Sequence, residues 1–438
     1  MSKSPILAFF ALSLALFAVG LSAQDAPKAF VGARIIPIQG PEIENGILLI
    51  EDGRITAVGA SASMTLPADT EQIDVSGMVI MPGLVDSHSH IGQMEGGDRS
   101  APIQPDIRVW ETVNARDARI QKAQAGGITV ANVMPGSGHL MSGQTVYLKL
   151  RDGRTVYDLI IPWDDGSPMG GMKMANGTNS RRSPPFPGTR AKSAALVREQ
   201  FLKAQEYQSK LESAEEGQEP PRDLRMEGLV EVLEGKRIVH HHTHRHDDIL
   251  TVLRLAEEFG LRVVLHHVSD AWAVAEEIAA SDEVVGNSII MIEAPGGKIE
   301  AKDVTIENGR ALEEAGALVG FHTDDGITDS RLFLRSAGWA VRGGMSREKA
   351  LFGLTMGNAI LLDLQDRIGT LEPGKDADFI ILDGDPLSVY THVRQTWVDG
   401  EKVFDRDEPQ DRLYAVGGYG ASHDQALEVH QLSEEGDY

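Results

Sequence analysis

The chain has 438 residues, of which 42% are hydrophobic and 24% charged. That composition is globular, and the length suits two or three domains or one barrel with an appendage. Its 65 acidic residues outweigh 41 basic ones, a formal net charge of −24, which argues against nucleic acid or an anionic membrane as a main partner.

The chain contains no cysteine, so disulfides, thiolate ligands, a cysteine nucleophile and a lipid-modified N-terminal cysteine are excluded. It opens with "MSKSPILAFFALSLALFAVGLSAQ": a lysine, an apolar run over residues 6–21, and small residues before Gln24. This is the pattern of a secretory signal peptide over residues 1–23, cleaved after Ala23. A periplasmic or secreted protein is therefore expected. No later apolar run approaches the roughly 20 residues that a membrane span requires, so no stable membrane insertion is expected after cleavage.

Residues 24–81 alternate short β-branched runs with Gly, Pro and Asn, the pattern of small hairpins, with "IENG" and "EDGR" as turn sequences. The same texture returns over residues 365–410 in "RIGTLEPGKDADFIILDGDPL" and "VRQTWVDGEKVF". The two ends are thus expected to meet in one small β-sandwich, with residues 411–438 as a surface tail. Residues 82–364 differ, because short apolar strands alternate with amphipathic helices. This βα alternation implies a parallel sheet, and its length favours an α/β fold of the (β/α)8 TIM-barrel type. Residues 180–221 form an insertion that opens with the Pro-rich "RRSPPFPGTR" and continues as a long charged helix.

Chemistry concentrates at predicted strand ends. In "GLVDSHSHIG", His88 and His90 are two residues apart, so both rings share one face of a strand. Two such imidazoles at the C-terminal mouth of a barrel can hold one metal ion. "VVLHHVSD" ends a second strand with His266 and His267, only one of which faces the mouth by simple alternation. "VGFHTDDG" ends the last strand with His322, Asp324 and Asp325. "IVHHHTHRH" places five of the 14 histidines within residues 240–246. If it is a strand, His240, His242 and His244 share one face, and His241 faces the helices.

The pairing of "MPGLVDSHSH" with "IGTLEPGKDADFIILDGDPL" resembles the amidohydrolase superfamily of metal-dependent hydrolases. "GMKMANGTNSRR", "HTHRHDDILTVLRLAEEFG" and "LHHVSD" are similar to its imidazolonepropionase-like branch, and the likeness covers nearly all of the mature chain. The resemblance implies metal ligands at His88, His90, His242, His267 and Asp324. Lys173 in "GMKMANG" is the candidate carboxylated bridge between two ions, with a substrate-binding or surface lysine as the alternative. One or two divalent ions per chain follow, with Zn2+ the expected ion, and imidazole and carboxylate are the donors that this cysteine-free chain offers.

Such an ion lowers the pKa of bound water from about 15.7 to about 7. Asp324 is then the candidate general acid–base. His267 polarises the carbonyl in a one-metal site, or ligates the second ion in a two-metal site. His244, Arg245 and His139 are candidate substrate contacts. The expected activity is hydrolysis of an amide or peptide-like C–N bond in a small-molecule substrate. Cyclic-amide hydrolysis or deamination is the alternative, and a non-catalytic metal-binding protein comes third. A homo-oligomer is left open.

Overall fold

The computed structural model describes residues 26–93, 95–291 and 298–417. The expected export segment at residues 1–23 and the acidic end of the chain lie outside the described residues. The N-terminal strands are β1 (Lys28–Ile35), β2 (Ile43–Glu51), β3 (Arg54–Ala60), β4 (Glu71–Asp74) and β5 (Val79–Pro82). In the middle follow β6 (Leu84–Ser89), β7 (Ile128–Val133), β8 (Met141–Gln144), β9 (Val146–Lys149) and β10 (Met172–Ala175). After these come β11 (Val239–Thr243), β12 (Val263–His267), β13 (Val284–Ile289) and β14 (Val319–Phe321). The C-terminal strands are β15 (Phe379–Leu382), β16 (Val393–Val398) and β17 (Glu401–Asp405).

Strands from both chain ends share one eight-stranded sheet, β17-β16-β15-β5-β1-β2-β3, with β4 beside β1. The sequence suggests two stacked layers; the structure has a single sheet that forks at β1. Residues 28–31 of that strand pair with β4, and residues 34–35 pair with β5. Phe30 from one end packs 4.9 Å from Phe379 and 5.0 Å from Trp397 of the other, centroid to centroid. Within this sheet "EDGR" turns β2 into β3, but "IENG" does not turn the chain. It makes a bulge in β2, where Asn45 takes φ +49° and a Cβ on Gly46 would meet Ile35 Cδ1 at 2.6 Å. Residues that tolerate a turn also tolerate a bulge.

In the middle of the chain β10, β11, β12, β13 and β14 are successive parallel neighbours, and β6 is parallel to β7. Where a third parallel strand is expected, the chain makes β8, antiparallel to β10, and β9, antiparallel to β7. Thr145 alone separates the two, and its N–H is drawn to Gly171 O. The result is a six-stranded and a three-stranded sheet rather than a closed parallel ladder. Between β14 and β6 the connection is made outside any ladder. Asp324 N–H donates to His88 O at 2.9 Å, and Thr323 gives its N–H and hydroxyl to the Asp86 carboxylate at 3.1 and 2.5 Å.

Helices flank these strands, and their ends follow local chemistry. Asp117 caps Ala118–Ala125, accepting from Arg119 N–H at 2.8 Å. Gly260, at φ +65°, ends His246–Phe259. The insertion helix Arg190–Ser213 is not charged on all sides: Val197, Phe201 and Ala204 are buried, and Phe201 lies 5.2 Å from Phe259. The segment expected to begin a tail at 411 starts instead inside a helix, Pro409–Val416, which packs Tyr414 and Ala415 on the main core. Proline at its first turn suits a helix start. Among the described residues no helix is long and apolar enough to cross a membrane.

Candidate metal centre

Every strand end named in the sequence contributes to one buried cluster. His88 lies at the end of β6 and is fully buried, while His90 stands just past the strand. His90 Nδ1 lies 2.7 Å from Met134 O. A carbonyl only accepts, so Nδ1 carries the proton, and Nε2 of the neutral ring presents a lone pair. That lone pair faces Asp324 Oδ1 at 3.0 Å, and His88 Nε2 lies 3.3 Å from the same oxygen. Two acceptors this close require a cation between them, either a proton or a metal ion.

On β11 the side chains alternate. His241 turns outward among Met174, Val197, Phe201 and Val252, and burial there pushes its imidazole down to about 4. His240 and His242 face inward. Neither ring nitrogen of His242 has a hydrogen-bond partner in the protein. Its ring lies 4.4 Å from His267 and 4.8 Å from His244. His244 is held by Ser269 Oγ, 2.8 Å from Nδ1, leaving Nε2 without a partner.

The adjacent pair on β12 breaks the alternation rule. His266 is the lateral partner of His242 and so faces inward. His267 should then face outward, but it takes φ +68° and Val268 takes +38°. This left-handed backbone swings the His267 ring back to 5.0 Å from His88, and such strain at a buried polar centre is a mark of function. Asp324, just beyond β14, is likewise at φ +49°.

Lys173 of β10 is fully buried, its Nζ 3.2 Å from His88 Nε2 and 3.1 Å from Met134 Sδ. Burial pushes its amine down to about 7, against the pull of the Asp324 charge. Burial also holds His88, His242, His266 and His267 well below the ordinary imidazole range, and pushes His240, His244 and His322 down to about 3. Neutral rings keep their lone pairs. Burial by itself would raise the Asp324 carboxyl, but a proton shared with His90 Nε2 and the surrounding positive groups bring it below the ordinary carboxylate range.

Among the described residues the ligand atoms converge in three sets: His88, His90 and Asp324; His242, His244 and His267; and His88, His267 and His322. The orphaned nitrogens of His242, His244 and His267, with the His90–Asp324 confrontation, fit divalent metal ions better than a self-contained polar core. His88, His90, His242, His267, Asp324 and Lys173 are brought together, and His244 joins them in the second set. Arg245 is not brought in. Its guanidinium pairs with Asp247 at 2.9 Å at the start of the following helix. His139 is buried in the loop after β7, 5.6 Å from Phe186, and belongs to none of the three sets.

Sequence reasoning missed the inward role of His266, whose Nε2 lies 2.9 Å from His240 Nδ1, and the central place of His322. Register alone would have placed His266, once β11 and β12 were paired. Tyr147, 3.1 Å from His240 Nε2 through its hydroxyl, carried no signal in the sequence.

A family model described as "Amidohydrolase family" matches residues 195–403. The amidohydrolase tasK of Hapsidospora irregularis is 26% identical over 391 residues, 82% of this chain. The chain spans 40% of that relative's length. The imidazolonepropionase of Streptomyces griseus subsp. griseus is 26% identical over 402 residues, covering 82% of this chain and 93% of the relative. Among solved structures, an amidohydrolase from Thermotoga maritima MSB8 is 31% identical, with a TM-score of 0.80, and the match covers 86% of this chain and all of that one.

Proposed function

Because this chain belongs to the amidohydrolase family, hydrolases that act on carbon–nitrogen bonds, we propose that it hydrolyses an amide or peptide-like C–N bond at a centre of two divalent ions, with Zn2+ the expected ion. The observation that carries this reading is the pair of adjoining ligand sets, His88/His90/Asp324 and His242/His244/His267. Lys173 Nζ stands 3.2 Å from His88 in the same cluster. The residues of both ligand sets lie on, or just beyond, the C-terminal halves of parallel strands, where barrel enzymes carry their sites. We therefore read the six-stranded and the three-stranded sheet as the wall of one (β/α)8 barrel.

A divalent ion in this place supplies Lewis acidity and lowers the pKa of water from about 15.7 to about 7. The residues supply the rest. Asp324 stays ionised and is placed to take a proton from the attacking water and return it to the leaving nitrogen. Burial lowers the Lys173 amine to about 7 and so favours the uncharged form, which can take up carbon dioxide and lose a proton to become a carbamate that would offer carboxylate-type oxygens to the ions. His244 is held by Ser269, so its free Nε2 points in a fixed direction, toward a ligand or a substrate carbonyl.

The test is metal analysis combined with a substrate panel. Two equivalents of metal, and turnover of N-acyl amino acids or dipeptides that stops on chelation, are expected. Turnover of cyclic imides or aminopurines instead would move the assignment to ring opening or deamination. Several loosely held ions with no turnover would favour a metal-binding protein. For Lys173, Lys173→Ala should lower the metal content from two equivalents to one; unchanged content would make it a substrate or packing lysine. We also propose export, on the strength of the apolar run behind Lys3 and the small residues before Gln24. A mature protein outside the cytoplasm that begins at Gln24 is the expected result.

A further inference from the structure

We propose that Ser87, Ser288 and His322 form a proton-ordered relay that sets the tautomer of His267, so that its Nε2 offers a bare lone pair to the metal centre. His322 is then a positioning residue and not a ligand. The proposal rests on the metallohydrolase reading above and assigns His322 within it.

The relay is a line of four buried contacts. Ser87 Oγ lies 3.2 Å from Phe321 O and 2.7 Å from Ser288 Oγ. Ser288 Oγ lies 2.7 Å from His322 Nδ1, and His322 Nε2 lies 3.0 Å from His267 Nδ1. Each hydroxyl and each neutral ring has one proton to give, so four protons serve four contacts. The Phe321 carbonyl can only accept, which gives the line its direction. Ser87 donates to Phe321 O, Ser288 to Ser87, and His322 Nδ1–H to Ser288. His267 Nδ1–H then donates to His322 Nε2.

This order uses both nitrogens of His322, which removes it from the His88/His267/His322 set. It leaves His267 Nε2 without a proton and without a partner in the protein, beside His242 and His244. The opposite order would leave the contact between Ser87 and Phe321 unmade. It would also bury an Nε2–H on His267 with no acceptor. The left-handed backbone at His267 fits the same purpose, because it brings Nδ1 to His322 while aiming Nε2 into the cluster. Partners behind a ligating imidazole usually fix its tautomer in this way.

The first test is 15N NMR of histidine-labelled, metal-free wild-type protein, with His267 identified by loss of its signal in His267→Gln. An Nδ1-protonated tautomer is expected, and an Nε2-protonated one overturns the relay. The second is the metal dissociation constant by chelator competition. Ser288→Ala and His322→Gln should bind about ten- to a hundredfold more weakly yet fill to the wild-type stoichiometry. Ser288→Thr, which keeps the hydroxyl, should bind like wild type. Loss of one equivalent in His322→Gln would make His322 a ligand, and an unchanged constant in Ser288→Ala would make the relay idle; either result overturns the proposal. A wild type that takes up no divalent ion refutes the metallohydrolase reading itself.

Discussion

His90 Nε2 stands 3.0 Å from Asp324 Oδ1 while His90 Nδ1 already gives its proton to Met134 O. Two lone pairs at that distance repel unless a positive charge, a proton or a metal ion, lies between them. Asp324→Asn removes the charge that holds the cation, and with it the proposed acid–base. The expected result is a loss of one metal equivalent and a fall in kcat of about 10²–10⁴-fold. Full metal content with kcat within threefold of wild type would remove Asp324 from the mechanism.

The histidines of β11 divide by parity, and the division can be measured. His242 has two unpartnered ring nitrogens inside the cluster, whereas His241 is packed among Met174, Val197 and Phe201 on the helix side. His242→Ala should abolish metal-dependent turnover with little change in metal-free stability. His241→Ala should keep turnover and lower stability by about 2–4 kcal/mol, the usual cost of an emptied core site. Steady-state kinetics and denaturant titration on the two variants decide it, and equal losses of activity would refute the parity assignment.

Much of this centre is legible in the sequence because side-chain period and strand direction are simple rules. His88 and His90 two apart, and His240 and His242 two apart, could be assigned to one face before any strand was paired. The rule breaks where the backbone leaves the strand. His266 and His267 are adjacent, yet both reach the cluster, because His267 takes φ +68°, and no residue type announces that a histidine will do so. The absent third parallel strand has a similar origin, since "MSGQTVYLK" could serve as one strand until Thr145 breaks it into β8 and β9. Ser87 and Ser288 were invisible for a different reason. A serine in a strand carries no signal until its neighbours across the sheet are known.

The "GKDAD" segment, noticed first as a family likeness, has a structural use that can be tested. Lys149 of β9 is fully buried and contacts the carboxylates of Asp376, Asp378 and Asp399, the first two at 2.5 and 3.0 Å. Those three residues come from the C-terminal end of the chain, so the cluster fastens the chain-end sheet to the strands that carry the site. Burial disfavours the Lys149 ammonium, but the three carboxylates reverse this and keep it charged. Lys149→Met would leave the buried Asp378 carboxylate without a cation, while Asp376 keeps Arg54 and Arg367 and the half-buried Asp399 keeps Arg151, and should cost about 3–5 kcal/mol in chemical denaturation. A loss below about 1 kcal/mol, the worth of a surface pair, would show that the cluster is solvated.

Stability of the metal-free protein should depend on pH with a definite sign. Burial pushes His240, His244 and His322 down to about 3, and His241 to about 4, whereas the unfolded chain protonates histidine at about 6.5. Between about pH 6.5 and 3–4 the unfolded state therefore binds more protons, and the stability present above pH 6.5 is lost as pH falls through that window. Lys173, pushed down to about 7 from an ordinary value of about 10.4, adds the same sign at higher pH. Asp86 opposes them: burial raises it to about 7, so its contribution is lost as pH rises from about 3.9 to about 7. His88, His139, His242, His266 and His267 are depressed as well. These nine histidines outnumber the raised carboxyls Asp86, Asp152, Asp248, Asp325 and Asp378, which leaves a net loss on acidification. In the presence of a chelator, Tm should fall steadily between pH 7 and pH 5. A flat or rising Tm over that interval would mean that the rings are already protonated in the folded protein, and so are not the lone-pair donors that a metal centre needs.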